Sequence, residues 1–177
     1  MYFQHSAQLW RDFPDLVPVA LSVGGITPEA DVADAVARYW AAVRTSPLES
    51  ELPQIQAWRR AFTAMGLKPT QYRCASEALL RRFRKEGALP SLHPLVDLCN
   101  AISIAFAVPV AAIDLASVSG DLEVRYASGA EKYLTFGGEV EQPSPGEVSF
   151  VDEQGNAHAR RWTNRQSGLS EIGRAHV

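Results

Sequence analysis

The chain has 177 residues, 46% of them hydrophobic and 21% charged, with a formal net charge of −3. This length fits one domain with a substantial buried core, and the composition is that of a folded globular protein. The mild acidity excludes general polyanion affinity based on overall charge, although local arginine clusters at 59–60, 81–85 and 160–161 remain.

Both ends stand apart. The opening MYFQH resembles what a cleavable tag leaves, so residues 1–6 are read as a tag remnant and 7–177 as a single domain. The closing EIGRAHV has no clear final element and looks truncated. Between them, residues 16–23 (LVPVALSV) are β-rich and run into Gly24-Gly25, which predicts a strand and a turn. Thr27-Pro28-Glu29 predicts a capped helix reaching Val43, with Val32, Val36, Tyr39, Trp40 and Val43 on one face. A second helix is expected over 53–65, with Ile55, Trp58 and Phe62 at helical spacing and Gly66 as its stop.

Thr70 is the expected cap of a third helix ending at Lys85. A fourth, over 92–106, is apolar almost all round, which marks it as central and draws attention to its polar Asp97, Asn100 and Ser103. Beyond Pro109 the texture becomes short strands at 112–115, 122–127, 133–136, 147–151 and 157–162. The last two are joined through the turn DEQGN as a hairpin. A helical first half followed by a strand-rich second half predicts an α+β fold.

The chemistry is defined partly by what is missing. There is no GxSxG, phosphate-binding loop, HExxH or dinucleotide fingerprint. Cys74 and Cys99 show neither CxxC nor Cys/His spacing, so no metal is expected, and two thiols without a framework fit a reducing cytoplasm. The longest apolar run, 101–113, is too short to cross a bilayer and contains Pro109, so no membrane partner is expected. His93, before Pro94, reads as a cap or surface residue, and His158 sits on the hairpin near the arginines.

The densest polar constellation is Arg160-Arg161, Asn164, Arg165 and Gln166. Its planar donors suit a carboxylate, an ester carbonyl or a phosphate, but a solvated strand end with surface arginines reads equally well. Asn100, on a buried helix, serves either as a structural bridge or as a ligand-orienting amide. The run Arg81, Arg82, Arg84 and Lys85 is either a basic patch for RNA or a solvated helix end complementing the dipole.

The order of short motifs adds a resemblance. Pro69-Thr70, SEALLRR at 76–82, Leu89-Pro90, LVDLCN at 95–100, Val108-Pro109, Asp114, Gly120, PGE at 145–147 and RRWTNRQ at 160–166 resemble the B3/B4 domain. That domain is the editing module of the bacterial phenylalanyl-tRNA synthetase β-subunit and also occurs as free-standing proteins; the chain looks like the free-standing kind. The resemblance, over residues 16–170, implies a compact B3/B4-like α+β fold, its helical N-terminal half packed on a mostly antiparallel sheet. It implies cofactor-free trans-editing, the hydrolysis of a mischarged aminoacyl-tRNA ester, with the aminoacylated 3′ end of tRNA as partner and no DNA. The alternatives are a non-catalytic module binding tRNA or an amino acid, and a site for a small amino-acid derivative unrelated to tRNA. Asn100 matches the asparagine of the family's VDxxN helix, and Asn100, Arg161, Asn164, Arg165 and Gln166 are the expected substrate-binding residues. Arg81, Arg82, Arg84 and Lys85 are the expected tRNA contacts. Ala111 stands where the synthetase-type segment carries a histidine, and Arg165 or Gln166 stands where it carries a glutamate. No catalytic residue is assigned, and the sequence leaves the oligomeric state undefined.

Overall fold

Helices fill the first half of the chain and strands the second, so the fold is α+β as expected. The computed structural model describes residues 1–172; of the closing EIGRAHV, residues 173–177 lie outside the described residues. The elements in chain order are β1 (Phe3–His5), α1 (Ala7–Asp12), α2 (Ala33–Arg44), α3 (Pro53–Ala64), α4 (Ala75–Glu86) and α5 (Pro94–Phe106). They continue with β2 (Leu122–Tyr126), β3 (Tyr133–Leu134), β4 (Val140–Glu141), β5 (Val148–Asp152), β6 (Ala157–Arg160) and β7 (Arg165–Gln166). The contacts divide the chain into a helical unit, Gly24–Ala112, and a sheet unit, Met1–Val23 with Ile113–Glu171.

In the helical unit Val43, Ile55, Phe62, Leu80, Phe83 and Ile104 are each at most 3% exposed and form one core. On α4 the apolar Leu80 and Phe83 point inward while Arg81, Arg82 and Lys85 stay exposed, the pattern of a surface helix. Gly87 closes that helix in the left-handed conformation, its N–H returning to the Phe83 carbonyl at 2.7 Å. His93 caps α5: its Nδ1 accepts from the Leu95 N–H at 3.2 Å, ahead of Pro94 at the first position. Arg59 grips the buried Glu77 carboxylate with two donors, at 2.6 and 3.2 Å, and so ties α3 to α4.

Two helices begin later than their sequences suggest. Thr27 is spent on a local turn, its Oγ1 accepting from the Glu29 N–H, and α2 starts only after Asp31, whose carboxylate accepts from the Ala33 N–H at 3.0 Å. Residues 68–72 likewise close a turn in which Gln71 and Tyr72 donate to the Lys68 carbonyl, so α4 is entered from Cys74 rather than Thr70. In both places a nearby side chain or carbonyl outcompetes the first helical turn.

The sheet unit carries one five-stranded sheet, ordered β1-β2-β5-β6-β7, antiparallel except for the β1–β2 pair, and a separate β3–β4 ribbon. Residues 3–5 thus form an edge strand of this sheet. The expected strand at 16–23 does not form. The segment has no regular secondary structure and joins no ladder, and Val17, Val19 and Leu21 are 85–88% exposed. Residues 112–115 are not a strand either; Asp114 accepts from the Ala116 N–H at 3.0 Å and starts a short 3-10 turn at Leu115–Ser117. β-Propensity describes how a side chain suits a pleated surface and does not supply a pairing partner.

A loop between β2 and β3 is fixed by Glu131, whose side chain is 2% exposed. Burial alone raises the Glu131 carboxyl, but hydrogen bonds from the Ser128 and Gly129 N–H groups and the Ser128 hydroxyl outweigh it and bring the pKa down to about 2. Arg125 adds an ion pair at 2.8 Å. Because the folded pKa lies below the ordinary value of 4.5, Glu131 contributes stability above about pH 4.5 that is lost as pH falls toward 2. Glu131→Gln is expected to lower stability at pH 7 by about 1–3 kcal/mol and to flatten the acid limb of a stability-versus-pH curve measured by urea unfolding.

Candidate functional site

The arginine cluster is built on β5, β6 and β7. Arg160, 5% exposed at the end of β6, is consumed by carboxylates. Its Nε and Nη2 donate to the two oxygens of Glu147 at 2.8 and 2.9 Å, and its Nη1 donates to Glu141 at 2.5 Å. Burial pushes the Glu147 carboxyl up, but the hydrogen bonds and charge of Arg160 outweigh it and leave the group below the ordinary carboxylate range. The Arg165 Nη1 shares the same Glu141 oxygen at 3.3 Å. Both guanidiniums lie over the Tyr133 ring, at 5.6 and 5.4 Å from its centre, and the Tyr133 hydroxyl donates to the Gln166 carbonyl at 2.7 Å.

β6 ends at Arg160, two residues short of the expected strand at 157–162, because Arg161 and Trp162 both adopt the left-handed conformation, with φ of 46° and 58°. Each such non-glycine residue costs roughly 1–2 kcal/mol. Two hydrogen bonds hold the turn: the Arg161 N–H donates to Glu147 at 3.1 Å and the Trp162 N–H donates to the Val148 carbonyl at 2.7 Å. Trp162 is buried against Phe13, with ring centres 4.9 Å apart. The turn places Arg161, Asn164, Arg165 and Gln166 together at one end of the sheet, with Asn164 donating its N–H to the Arg161 carbonyl at 3.1 Å. Arg165 has the most exposed side chain of the group, at 42%, against 17% for Arg161 and 6% for Arg160.

His158 does not face this cluster from the surface. Its side chain is fully buried on β6, with Nε2 3.3 Å from the Asp152 carboxylate, and burial keeps its pKa below the ordinary value despite that partner. Asp152 also accepts from the N–H groups of Ser119, Gln154 and Asn156, so the pair organises the β5–β6 turn.

Asn100 belongs to the helical unit, where it is half-buried on α5. It lines a groove of about 400 Å³ between the approach to α2 and the start of α5, together with Asp31, Val36, Trp40, Leu92 and Asp97. Asp97 is locked in place by the Ser91 hydroxyl at 2.6 Å and the Leu92 N–H at 2.8 Å. Ser103, the third polar residue of α5, serves the backbone by donating to the Val108 carbonyl at 2.7 Å.

The basic run of α4 is largely neutralised within the unit. Arg81 and Arg84 converge on Glu49, each at 3.2 Å, and Arg82 pairs with Glu86 at 2.9 Å. Arg84 also reaches the Ser46 hydroxyl at 3.1 Å and the Pro47 carbonyl. Lys85 is exposed. No signal in the local sequence identifies Glu49 as their partner, because it lies in a short 3-10 turn (Glu49–Glu51) about thirty residues upstream.

The family model described as the B3/4 domain matches residues 57–175, and the chain belongs to that family. Among curated proteins it is similar to the phenylalanine–tRNA ligase beta subunit of Shewanella oneidensis, 31% identical over 106 residues, which is 59% of this chain and 13% of that protein. It is also similar to the same subunit of Legionella pneumophila strain Paris, 40% identical over 57 residues, or 32% of this chain and 7% of that protein. The corresponding subunit of Photorhabdus laumondii is 27% identical over 106 residues, again 59% of this chain and 13% of that protein. The chain therefore spans only a small fraction of the length of these relatives. Among the described residues no helix is long and apolar enough to cross a membrane.

Proposed function

We propose that this chain recognises the aminoacylated 3′ end of tRNA and hydrolyses the ester of a mischarged amino acid in trans. The observation that carries this reading is membership of the B3/4 family, with phenylalanine–tRNA ligase beta subunits among the relatives. In the reaction, water attacks the ester carbonyl carbon and the carbonyl electron pair moves to oxygen. Collapse of the adduct then expels the ribose oxygen, which takes up a proton. The neighbouring ribose hydroxyl can direct the water, so a protein base is not required, and positioning with oxyanion stabilisation supplies the catalysis.

Arg165 suits the oxyanion role: its side chain is exposed, its guanidinium is held by Glu141 and the Tyr133 face, and it has more N–H donors than the Glu141 contact uses. Within the sheet unit, Arg161, Asn164 and Gln166 would grip the terminal phosphate and ribose; Asn100, on the helical unit, is proposed separately as a substrate-binding amide. Arg81, Arg82, Arg84 and Lys85 would meet the RNA backbone with salt-sensitive, sequence-independent affinity, weakened by the internal pairs of the three arginines. A recognition module without turnover is the second reading, favoured by Ala111 at the position of the synthetase-type histidine.

The test is release of labelled amino acid from a panel of matched and mismatched aminoacyl-tRNAs with catalytic amounts of protein. Rapid release of one amino-acid class from a mismatched tRNA is expected. Background rates throughout, with tRNA binding retained, would leave the recognition module.

A further inference from the structure

We infer that Tyr133 is a positioning residue of the arginine turn: its ring and hydroxyl fix where the exposed Arg165 guanidinium points. This rests on the reading of Arg165 as the group that meets the ligand, and names the residue that aims it. β7, which carries Arg165, is two residues long and lies at the edge of its sheet, so a ladder to β6 holds it on one side only. So short a ladder leaves a long side chain most of its rotamer freedom. Glu141 alone does not remove that freedom, because the oxygen that Arg165 reaches at 3.3 Å is already bound by Arg160 at 2.5 Å.

Tyr133 supplies the missing constraints. It lies on β3 opposite Glu141 of β4, and it is fully buried. The Arg165 guanidinium rests over its ring, 5.4 Å from the centre, and a planar cation on an aromatic face is restrained in both height and tilt. The Tyr133 hydroxyl donates to the Gln166 carbonyl at 2.7 Å, so the same side chain also holds the backbone next to Arg165. Leu134 adds a second tie, its carbonyl accepting from the buried Ser167 hydroxyl at 2.8 Å. The ribbon thus clamps the two residues that follow Arg165 while the Tyr133 ring carries its head group.

One ring serves two arginines with different ends. Arg160, 5.6 Å from the ring centre, has a side chain 6% exposed and is held by Glu147 and Glu141, whereas Arg165 is 42% exposed. Burial pushes the Tyr133 phenol up, against the lowering charge of Arg165 and Arg160, so the hydroxyl keeps the proton that it donates. A donor oriented in this way before the ligand arrives needs no reorganisation when charge develops opposite it.

The experiment compares the full wild-type chain with Tyr133→Leu, which removes the ring, and Tyr133→Phe, which keeps it. In ¹⁵N-labelled protein the Arg165 Nε–H resonance is assigned by its loss in Arg165→Lys. It is expected to be shifted by the ring in wild type and in Tyr133→Phe, and to return toward the free-arginine position in Tyr133→Leu. With a mismatched aminoacyl-tRNA, Tyr133→Leu should slow single-turnover deacylation by about tenfold to a hundredfold, the scale of a misplaced catalytic group, with tRNA affinity little changed. Tyr133→Phe should keep most of the rate. In an Arg165→Ala background, Tyr133→Leu should cost almost nothing further, since its effect passes through Arg165. A purely structural tyrosine would leave the Arg165 resonance in place when replaced by leucine, or would slow both backgrounds equally; either result overturns the assignment. So does a wild-type Arg165 resonance without a ring shift, a measurement that decides the matter if Tyr133→Leu does not fold. If the wild-type chain deacylates nothing, the hydrolytic reading fails by itself and the resonances alone decide on Tyr133.

Discussion

Replacing Glu147 with alanine is expected to lower the unfolding free energy by about 3–5 kcal/mol, the cost of stranding a buried charge. Arg160 and Glu147 are each 6% exposed in their side chains and joined by two short hydrogen bonds. Removing the carboxylate leaves the guanidinium with Glu141 alone and frees the Arg161 N–H that holds the left-handed turn. The loss should therefore appear twice, as reduced stability in urea unfolding and as altered near-ultraviolet circular dichroism from Trp162, which follows that turn. A double variant, Arg160→Met with Glu147→Leu, should regain much of the stability without regaining the turn, since a well-packed apolar pair often matches a buried ion pair. A loss below about 1 kcal/mol for Glu147→Ala, the range of exposed pairs, would mean that the pair is effectively solvated.

Arg165→Ala is expected to slow deacylation by about 10²–10³, the effect of removing one oxyanion donor. Its stability should change by less than about 1 kcal/mol, because the side chain is 42% exposed and Arg160 still holds Glu141. Arg165→Lys retains the charge but not the planar fork, and an intermediate rate is expected. Single-turnover rates at saturating protein, compared with tRNA affinity measured separately, distinguish lost chemistry from lost binding. If the double variant Asn100→Ala, Arg165→Ala deacylates at the wild-type rate, the assignment of both residues is wrong.

The two arginine clusters show how far local sequence reaches. Arg160, Arg161 and Arg165 read alike as donors along the chain, yet the fold gives them different fates. The partners that separate them, Glu141 and Glu147, lie 19 and 13 residues before Arg160, on a different ribbon and at the start of another strand. The α4 run behaves in the same way: a sequence of Arg and Lys reads as a basic patch until Glu49 draws two of its members in. Residues 16–23 show the opposite failure, where side chains suited to a sheet meet no partner strand.

The short-range part of the structure, and the family, are legible in the linear chain. Apolar spacing, Pro53 and Pro94 at helix starts, and Gly87 at a helix end define α3, α5 and the end of α4 closely, and the turn before Asn156 defines the β5–β6 hairpin. These signals act within one or two turns of backbone, so they survive in a linear reading. The ordered motifs likewise point to the B3/4 family that the comparison establishes. Long-range packing sets which arginine is neutralised, that Arg161 and Trp162 turn left-handed, that His158 is buried on Asp152, and that Asn100 shares a groove with Asp31 and Asp97. Each of these depends on groups distant in the chain competing for one hydrogen bond or one charge, and that competition is resolved only when the elements pack.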